Sequence, residues 1–305
     1  MDFGRLRTLR ELALRKTMAA VAEALFISPS AVSQQITQLE YEAGVPLVER
    51  RGRGVKLTPA GEQLAMHAER IIAALEEAKT DLAELKRIVA GELRVAAFPS
   101  VAAVLIPATM KTLRNLHPQL RISFDEMEPT DSLAALRAWQ TDVALIDDLT
   151  VPPELLEANI ETIAIGEDTL YAMLSSGSRF AAKKVIRLGD LREESWALDR
   201  ASDAYGTLII RECRAAGFEP EINGNCKGFE VVLALVAAGC SVSVVPGLRA
   251  HRIRGVRGKV VVRRIVPEIR RKISIAFRRG ESRNPAVSAL VQKLQERAKQ
   301  SAGLH

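Results

Sequence analysis

The sequence predicts an α/β protein with an all-α-rich N-terminal head, and three observations carry that prediction. Short capped helices crowd the N-terminal stretch, an apolar heptad runs through one long helix after Thr58, and strand and helix patterns alternate from Gly91 onward.

In the head, "LRTLRELALR" places Leu6, Leu9 and Leu12 at helical spacing, and "TMAAVAEALF" offers Thr17 as a cap with Ala20, Val21, Ala24 and Leu25 facing inward. A third helix opens in "SPSAVSQQI". Ser28 can accept from an orphan backbone N–H there, and Pro29 tolerates the first helical turn because it has no N–H to satisfy. Val32, Ile36, Leu39 and Ala43 make its apolar stripe, and Gly44 with Pro46 closes it. The other face shows Ser30, Ser33, Gln34, Thr37 and Gln38, with Ser28 and Gln35 counted beside them. These groups both donate and accept, and a glutamine can grip adenine N6 and N7, so the face suits a major groove. Only Phe26 and Ile27 separate the second helix from Ser28, which is the tight turn of a helix-turn-helix. Next, "LVERRGRGVKLT" alternates like a hairpin around Gly52 and Gly54. Arg50, Arg51, Arg53 and Lys56 crowd its tip and would lie against phosphates.

From Thr58 as cap and Pro59 as first helical residue, Leu64, Ala68, Ile71, Leu75, Ala78, Leu82, Leu85 and Val89 recur at alternating steps of four and three. A helix of about thirty residues would span roughly 45 Å. A seam this narrow predicts pairing with a second helix as a coiled coil, the alternative being packing on its own domain.

Beyond Gly91 come "ELRVAAF", a helix from Ser100 to Leu116, "LRISFDEM", the helix "DSLAALRAW" and "DVALID". A second unit runs through "TLYAML", "SWALD", two helices ("YGTLIIRECRAAGF" and "FEVVLALVAAG") and "SVSVVP". The chain then returns through "RKISIAF" and ends in the helix "AVSALVQKLQERAK". Such alternation predicts a parallel sheet with helices on its faces, divided into two lobes.

The net charge of +6 fits an anionic partner, but its location is uneven. Residues 249–279 hold twelve Lys or Arg against Glu268 alone, so this block carries +11 and the remainder of the chain −5. The block reads mostly as solvated strand edges, with an anionic effector or a protein partner as the other readings. Cys213, Cys226 and Cys240 lack CxxC or His-rich spacing, so neither a disulfide framework nor a zinc site is expected. There is no nucleophile elbow, no G-x-G-x-x-G and no phosphate loop, and the four histidines have no partners for acid–base work or metal binding. No enzyme, metal or cofactor is expected. Neither a membrane span nor a signal peptide is apparent, and a cytoplasmic location is expected.

The stretch from "RLRTLRELAL" through "AAVAEALFISPSAVSQQITQLEYEAGVPLVERRGRGVKLTPAGEQL" resembles the winged helix-turn-helix of the LysR-type transcriptional regulators. The resemblance covers essentially the whole chain and is most specific in residues 1–65. One departure is Lys16 and Thr17, which stand where the family usually has Gly-Ser. The resemblance implies a DNA-binding domain over residues 1–58, a dimerisation helix over 59–90 and an effector-binding domain over 91–305. The last would have one lobe of about 91–162 and 268–305 and another of about 163–267, similar to periplasmic binding proteins. It further implies a homodimer or dimer of dimers on a pseudo-palindromic operator, a small-molecule effector between the lobes, and RNA polymerase as a further partner. A thiol-based sensor using Cys213 and Cys226 is the alternative within the family. A solute-binding protein would share the lobes but not the head.

For the effector, Ser100 opens a helix at the C-terminal end of a strand, with Pro99 and Val101 beside it, a setting that favours an anion. Family members often hold an effector carboxylate on a hydroxyl there. Asp147 ends "DVALID", and "LDRASDAYG" supplies Asp199, Ser202 and Asp203, acids that could hold an amine. The expectation therefore leans to a zwitterionic or amine-bearing metabolite.

Overall fold

The structure is a computed structural model describing residues 1–25, 27–51, 54–86, 88–156, 159–200, 203–253 and 258–302. It divides into two compact units. One holds Met1–Ile88 with Arg137–Gln140 and Gly280–Pro285; the other holds Val89–Leu136, Thr141–Arg279 and Ala286–His305.

The first unit contains α1 (Phe3–Arg15), α2 (Met18–Leu25), α3 (Pro29–Ala43), the hairpin β1 (Val48–Arg51) and β2 (Gly54–Leu57), and α4 (Pro59–Lys86). Leu6, Leu9, Leu12, Val21, Val32, Ile36, Leu39 and Leu47 share one core, so the inward stripes read from sequence meet each other. Fully burying a side chain of this kind stabilises a fold by about 1.5–3 kcal/mol. The caps are where the sequence puts them. Thr17 Oγ1 accepts from Ala20 N, Ser28 Oγ accepts from Ala31 N, and Gly44 ends α3 in the left-handed region at φ 71°. Lys16 takes a left-handed φ of 62° at the end of α1, a conformation glycine adopts more cheaply.

Two contacts fasten the hairpin to its neighbours. Glu40 Oε1 accepts from both Leu47 N (2.8 Å) and Val48 N (3.0 Å), tying α3 to the start of β1. Thr58 Oγ1 caps α4 at Gly61 N and donates to Pro46 O (2.8 Å), while Thr58 N donates to Leu47 O. Gly61 lies so close to Leu47 that an added Cβ would overlap the Leu47 carbonyl.

The heptad reading of α4 needs correction at one end. Ala68 is fully buried in the head's own core with Ala65, and Leu64 packs against them. These positions serve the globule because the first turns of α4 lie on α1. The stripe turns outward only at Ile71, Leu75, Ala78, Leu82 and Leu85, which are exposed, and the helix ends at Lys86, before Val89.

The second unit is built on a sheet of order β4 (Leu120–Glu126), β3 (Gly91–Ala97), β5 (Val143–Asp147), β12 (Arg270–Arg278), β6 (Ile160–Ser175), β11 (Val260–Val266) and β7 (Val185–Arg187), with β10 (Ser243–Pro246) also on β6. Its first lobe holds β3 (Gly91–Ala97), α5 (Pro99–Leu116), β4 (Leu120–Glu126), α6 (Pro129–Arg137) and β5 (Val143–Asp147). Then comes β6 (Ile160–Ser175), followed by the second lobe: β7 (Val185–Arg187), β8 (Ser195–Asp199), α7 (Asp203–Ala215), β9 (Glu221–Cys226), α8 (Phe229–Ala237), β10 (Ser243–Pro246), α9 (Gly247–Ile253) and β11 (Val260–Val266). The chain closes with β12 (Arg270–Arg278) and α10 (Pro285–Ala302). The sheet is mixed, not parallel as expected. β3 pairs β4 and β5 in parallel, but β12 is antiparallel to both β5 and β6. The 16-residue β6 explains this: its first part pairs β12, its last part pairs β10 and β11, and a chain crossing between lobes must return in the opposite sense.

In the basic block Lys259, Arg264, Arg270, Lys272 and Arg279 are exposed as expected, and two members depart from that reading. Arg271 and Arg278 are both buried. Arg278 donates to Leu136 O, Thr141 O and Asp142, and Arg94 also binds Asp142. Burial alone would raise the Asp142 pKa. The Arg94 hydrogen bonds and the charges of Arg94 and Arg278 more than offset it, so the carboxyl titrates below its ordinary 3.8.

Gly61→Ala is expected to destabilise the head by about 1–3 kcal/mol, the typical cost of overpacking. A urea melt followed by circular dichroism measures it, and an unchanged midpoint would mean the Leu47 approach is not rigid.

Candidate functional site

Two surfaces gather the chemistry-bearing residues. On α3 the apolar stripe is spent on the core, which leaves Ser30, Ser33, Gln34, Thr37 and Gln38 exposed along one side. Tyr41, at 82% exposure, extends the same side by one turn. Two predicted members have other employment. Gln35 turns toward α1 and accepts from Thr8 Oγ1, and Ser28 caps the helix while sharing a hydrogen bond with Ser30 (2.8 Å). On the hairpin, Lys56 is exposed. The backbone of Arg50 and Arg51 forms β1, their side chains lie outside what is described, and Arg53 falls outside the described residues.

The second surface is a cleft between the two lobes, lined by Phe98, Pro99, Ser100, Glu128, Asp147, Thr150, Asp199, Tyr205, Phe229, Val232, Ser243, Val244, Pro246, Arg249 and Arg271, with a cavity of about 50 Å³. Arg271 is one of its buried members, at 3% exposure. Nε and one terminal nitrogen donate to Asp168 Oδ2 (3.1 and 2.7 Å), and that same nitrogen donates to Ser100 Oγ (2.7 Å). Its other terminal nitrogen lies 3.6 Å from Asp147 Oδ2, and its guanidinium carbon sits 4.9 Å over the Phe98 ring. Asp168 is held in turn by Leu248 N at 3.0 Å, and a Cβ on Gly247 would press on its carboxylate. On the second lobe, Asp199 accepts from Gly228 N (3.2 Å) and faces Arg249 at 3.7 Å, while Arg249 stacks on Phe229 (4.8 Å). Tyr205 donates to Val244 O, and burial raises its phenol above the ordinary range.

Pro99, Ser100, Asp147 and Asp199 therefore line one cavity, as their placement at strand ends and helix starts predicted. Val101 does not; it is fully buried in the first lobe's core, because the third residue of α5 packs among the strand residues of that core. Ser202 lies outside the described residues, and Asp203 begins α7 with its side chain undescribed. Sequence reasoning missed Arg271, Asp168, Tyr205, Phe229 and Arg249. The one available signal was the acid-poor block 249–279, whose two cleft members were taken with the rest as surface charge.

Cys213 and Cys226 are buried in separate cores. Burial and then Glu212 and Glu219 push the Cys213 thiol up to about 12, and burial with Asp199 raises that of Cys226. Thiol sensing draws on a lowered pKa, so the burial and the raised pKa of these two thiols do not favour it.

A helix-turn-helix with a hairpin, followed by a two-lobed α/β domain with a polar cleft, defines a ligand-responsive transcriptional regulator. Residues 3–62 match the model of the bacterial regulatory helix-turn-helix protein, lysR family, and residues 86–299 match the LysR substrate binding domain; the chain belongs to this LysR family. It is 27% identical to the transcriptional dual regulator GltC of Bacillus subtilis over 246 residues, 81% of each chain. It is 26% identical to the DNA-binding transcriptional dual regulator OxyR of Escherichia coli, over 97% of this chain and 96% of that one. Among solved structures, a full-length OxyR variant from Pseudomonas aeruginosa superposes with a TM-score of 0.68 at 23% identity, covering 97% and 98% of the two chains. Full-length CbnR complexed with its target DNA gives 0.55 at 25% identity over 97% and 100%. The family consists of transcriptional regulators, not enzymes. OxyR among the relatives keeps a thiol-based alternative compatible with the family, and the buried thiols do not favour it. Among the described residues no helix is long and apolar enough to cross a membrane.

Arg271→Met is expected to cost about 3–5 kcal/mol, because Asp168 and Asp147 would stay buried without their counter-charge. Chemical denaturation reads this directly, and adding Asp168→Asn should recover part of it. A loss under about 1 kcal/mol would show that the guanidinium is dispensable to the fold.

Proposed function

We propose that this LysR-type regulator reads a pseudo-palindromic operator as a homodimer or dimer of dimers, under control of a small molecule held between its lobes. The carrying observation is α3: one face fully spent on the core, the other a row of exposed hydroxyls and amides. Residues 1–58 act as the DNA-binding domain, 59–90 as the pairing linker and 91–305 as the effector domain, with lobes of about 91–162 plus 268–305 and about 163–267. Ser30, Ser33, Gln34, Thr37 and Gln38 meet base edges, and the cations of the hairpin meet phosphates. Pairing runs along Ile71, Leu75, Ala78, Leu82 and Leu85, a stripe whose exposure is 39–80% at the four large residues. A two-fold pair presents two copies of α3 to two half-sites. Operation in the cytoplasm and contact with RNA polymerase complete the reading. The effector is a zwitterionic or amine-bearing metabolite, supported by a cleft that lines three carboxylates against two guanidiniums.

Gln34→Ala should lose about 1–3 kcal/mol of discrimination at one position of each half-site. Fluorescence anisotropy against a duplex selected by the wild-type protein from a random pool, and against a scrambled duplex, measures the ratio. An unchanged ratio removes Gln34 from base readout.

Leu75→Asp places a carboxylate in the middle of the pairing stripe, where an unpartnered buried charge is costly. Light scattering should then report a smaller species with weakened operator binding. Pairing that survives the change would put the dimer contact elsewhere.

A further inference from the structure

Among the polar groups lining the cleft, Asp147 stands apart. Its residue exposure is 2%, at the end of β5, and its two oxygens are treated differently. Oδ1 accepts from Leu149 N (3.0 Å), Thr150 N (2.9 Å) and Thr150 Oγ1 (3.1 Å). Oδ2 is buried, belongs to the cavity lining residue, and meets no hydrogen-bond donor of the protein. Its nearest positive charge, the Arg271 nitrogen at 3.6 Å, is beyond hydrogen-bonding distance, and the rest of that guanidinium is committed to Asp168 and Ser100. A buried carboxylate oxygen without a donor costs free energy comparable to a lost charged hydrogen bond, so a native fold keeps one where something else completes it.

The surrounding charges say what kind of group completes it. Glu128, Asp147 and Asp199 line the cavity against Arg249 and Arg271, and Asp168 further neutralises Arg271 from behind. The local balance is acidic, which favours a cationic donor over a hydroxyl. Of the two guanidiniums, Arg271 has its charge answered by Asp168 and Asp147, and its Nε and one terminal nitrogen are spent on Asp168 and Ser100. Arg249, on α9 of the opposite lobe, makes its contact with Asp199 at 3.7 Å, too long for a hydrogen bond, and so has capacity for an anion. Ser100, where the helix start pointed to an effector carboxylate, instead accepts from Arg271, leaving its surroundings already supplied with charge.

We infer that Asp147 is the specificity-determining acceptor of the effector's ammonium group, and that the effector's carboxylate meets Arg249, so that a short amino acid bridges the first lobe to the second. This rests on the cleft being the effector site and sets the polarity opposite to the one the helix start at Ser100 pointed to. The cavity of about 50 Å³ has room for about three or four water-sized groups, which selects a compact zwitterion over a ring system. The α-carboxylate and ammonium then close a contact across β6 and β12, the strands that both lobes share.

The test titrates the full-length protein by calorimetry with the twenty common amino acids, the 2-keto acid matching each, and the amine left by decarboxylating each. At least one short amino acid should bind, with its keto acid at least tenfold weaker. Asp147→Asn, which keeps an oxygen for the Leu149 and Thr150 donors, should weaken that amino acid at least tenfold. Arg249→Gln should weaken the amino acid but leave the decarboxylated amine within about twofold of wild type. Equal binding of amino acid and keto acid, or full affinity in Asp147→Asn, overturns the assignment. A keto acid that binds and is lost in Arg249→Gln leaves the cleft as effector site and sinks only the role of Asp147. Silence of all three panels overturns both. The comparison of wild-type affinities holds even if a variant fails to fold.

Discussion

One buried guanidinium organises the ligand-binding half of this molecule. Arg271 sits on β12 directly opposite Asp168 on β6, so their ion pair spans the two strands that every crossing between lobes must use. From there Ser100 connects it to the start of α5, and Asp168 connects to Leu248 at the start of α9. A charge taken out of water persists only when it is paired and hydrogen-bonded, which obliges these elements to converge. The bare Cα of Gly247 is part of that arrangement, since a side chain there would push against the Asp168 carboxylate. Arg271 lines the cleft, and the elements that its pair joins are the ones that form part of the cleft's walls.

The two halves of the molecule treat polar groups in opposite ways. On α3 the hydroxyls and amides are left facing outward, so their donors and acceptors are available to a partner that supplies both. In the cleft most polar groups are answered from within, and specificity falls to the few atoms that are not, Asp147 Oδ2 chief among them. The first arrangement suits a ligand that brings a long, repetitive surface; the second suits one that brings a few atoms.

Much of the head was legible because its signals are local. Ser28 and Pro29 open α3, Gly44 closes it, and Val32, Ile36 and Leu39 point where their spacing says. Ala68 misled, since heptad spacing does not say which of two neighbouring faces of a helix meets the partner and which meets its own domain. In the second unit, the strand end at Asp147 and the helix start at Ser100 were readable as cleft positions, again from local pattern. The partner of Ser100 was not: Arg271 lies 171 residues away, in a run where basic residues look interchangeable until the sheet buries some and solvates others. Short strands such as β7 and β9 were missed for a related reason, being too brief to show a period and held by neighbours distant in sequence. The mixed sense of the sheet was equally out of reach, because it follows from where β6 and β12 travel, not from what either contains.

The joint between the hairpin and α4 has a mechanical meaning. Thr58 bonds to Pro46 and Leu47, Glu40 holds the first residues of β1, and Gly61 brings the helix backbone against the Leu47 carbonyl. No slack remains between these parts, so they behave as a welded corner and not as a hinge. A twist applied along α4 is then delivered to the hairpin and to the end of α3 with little loss, and a few degrees at the helix become a sideways step of the exposed polar face of α3.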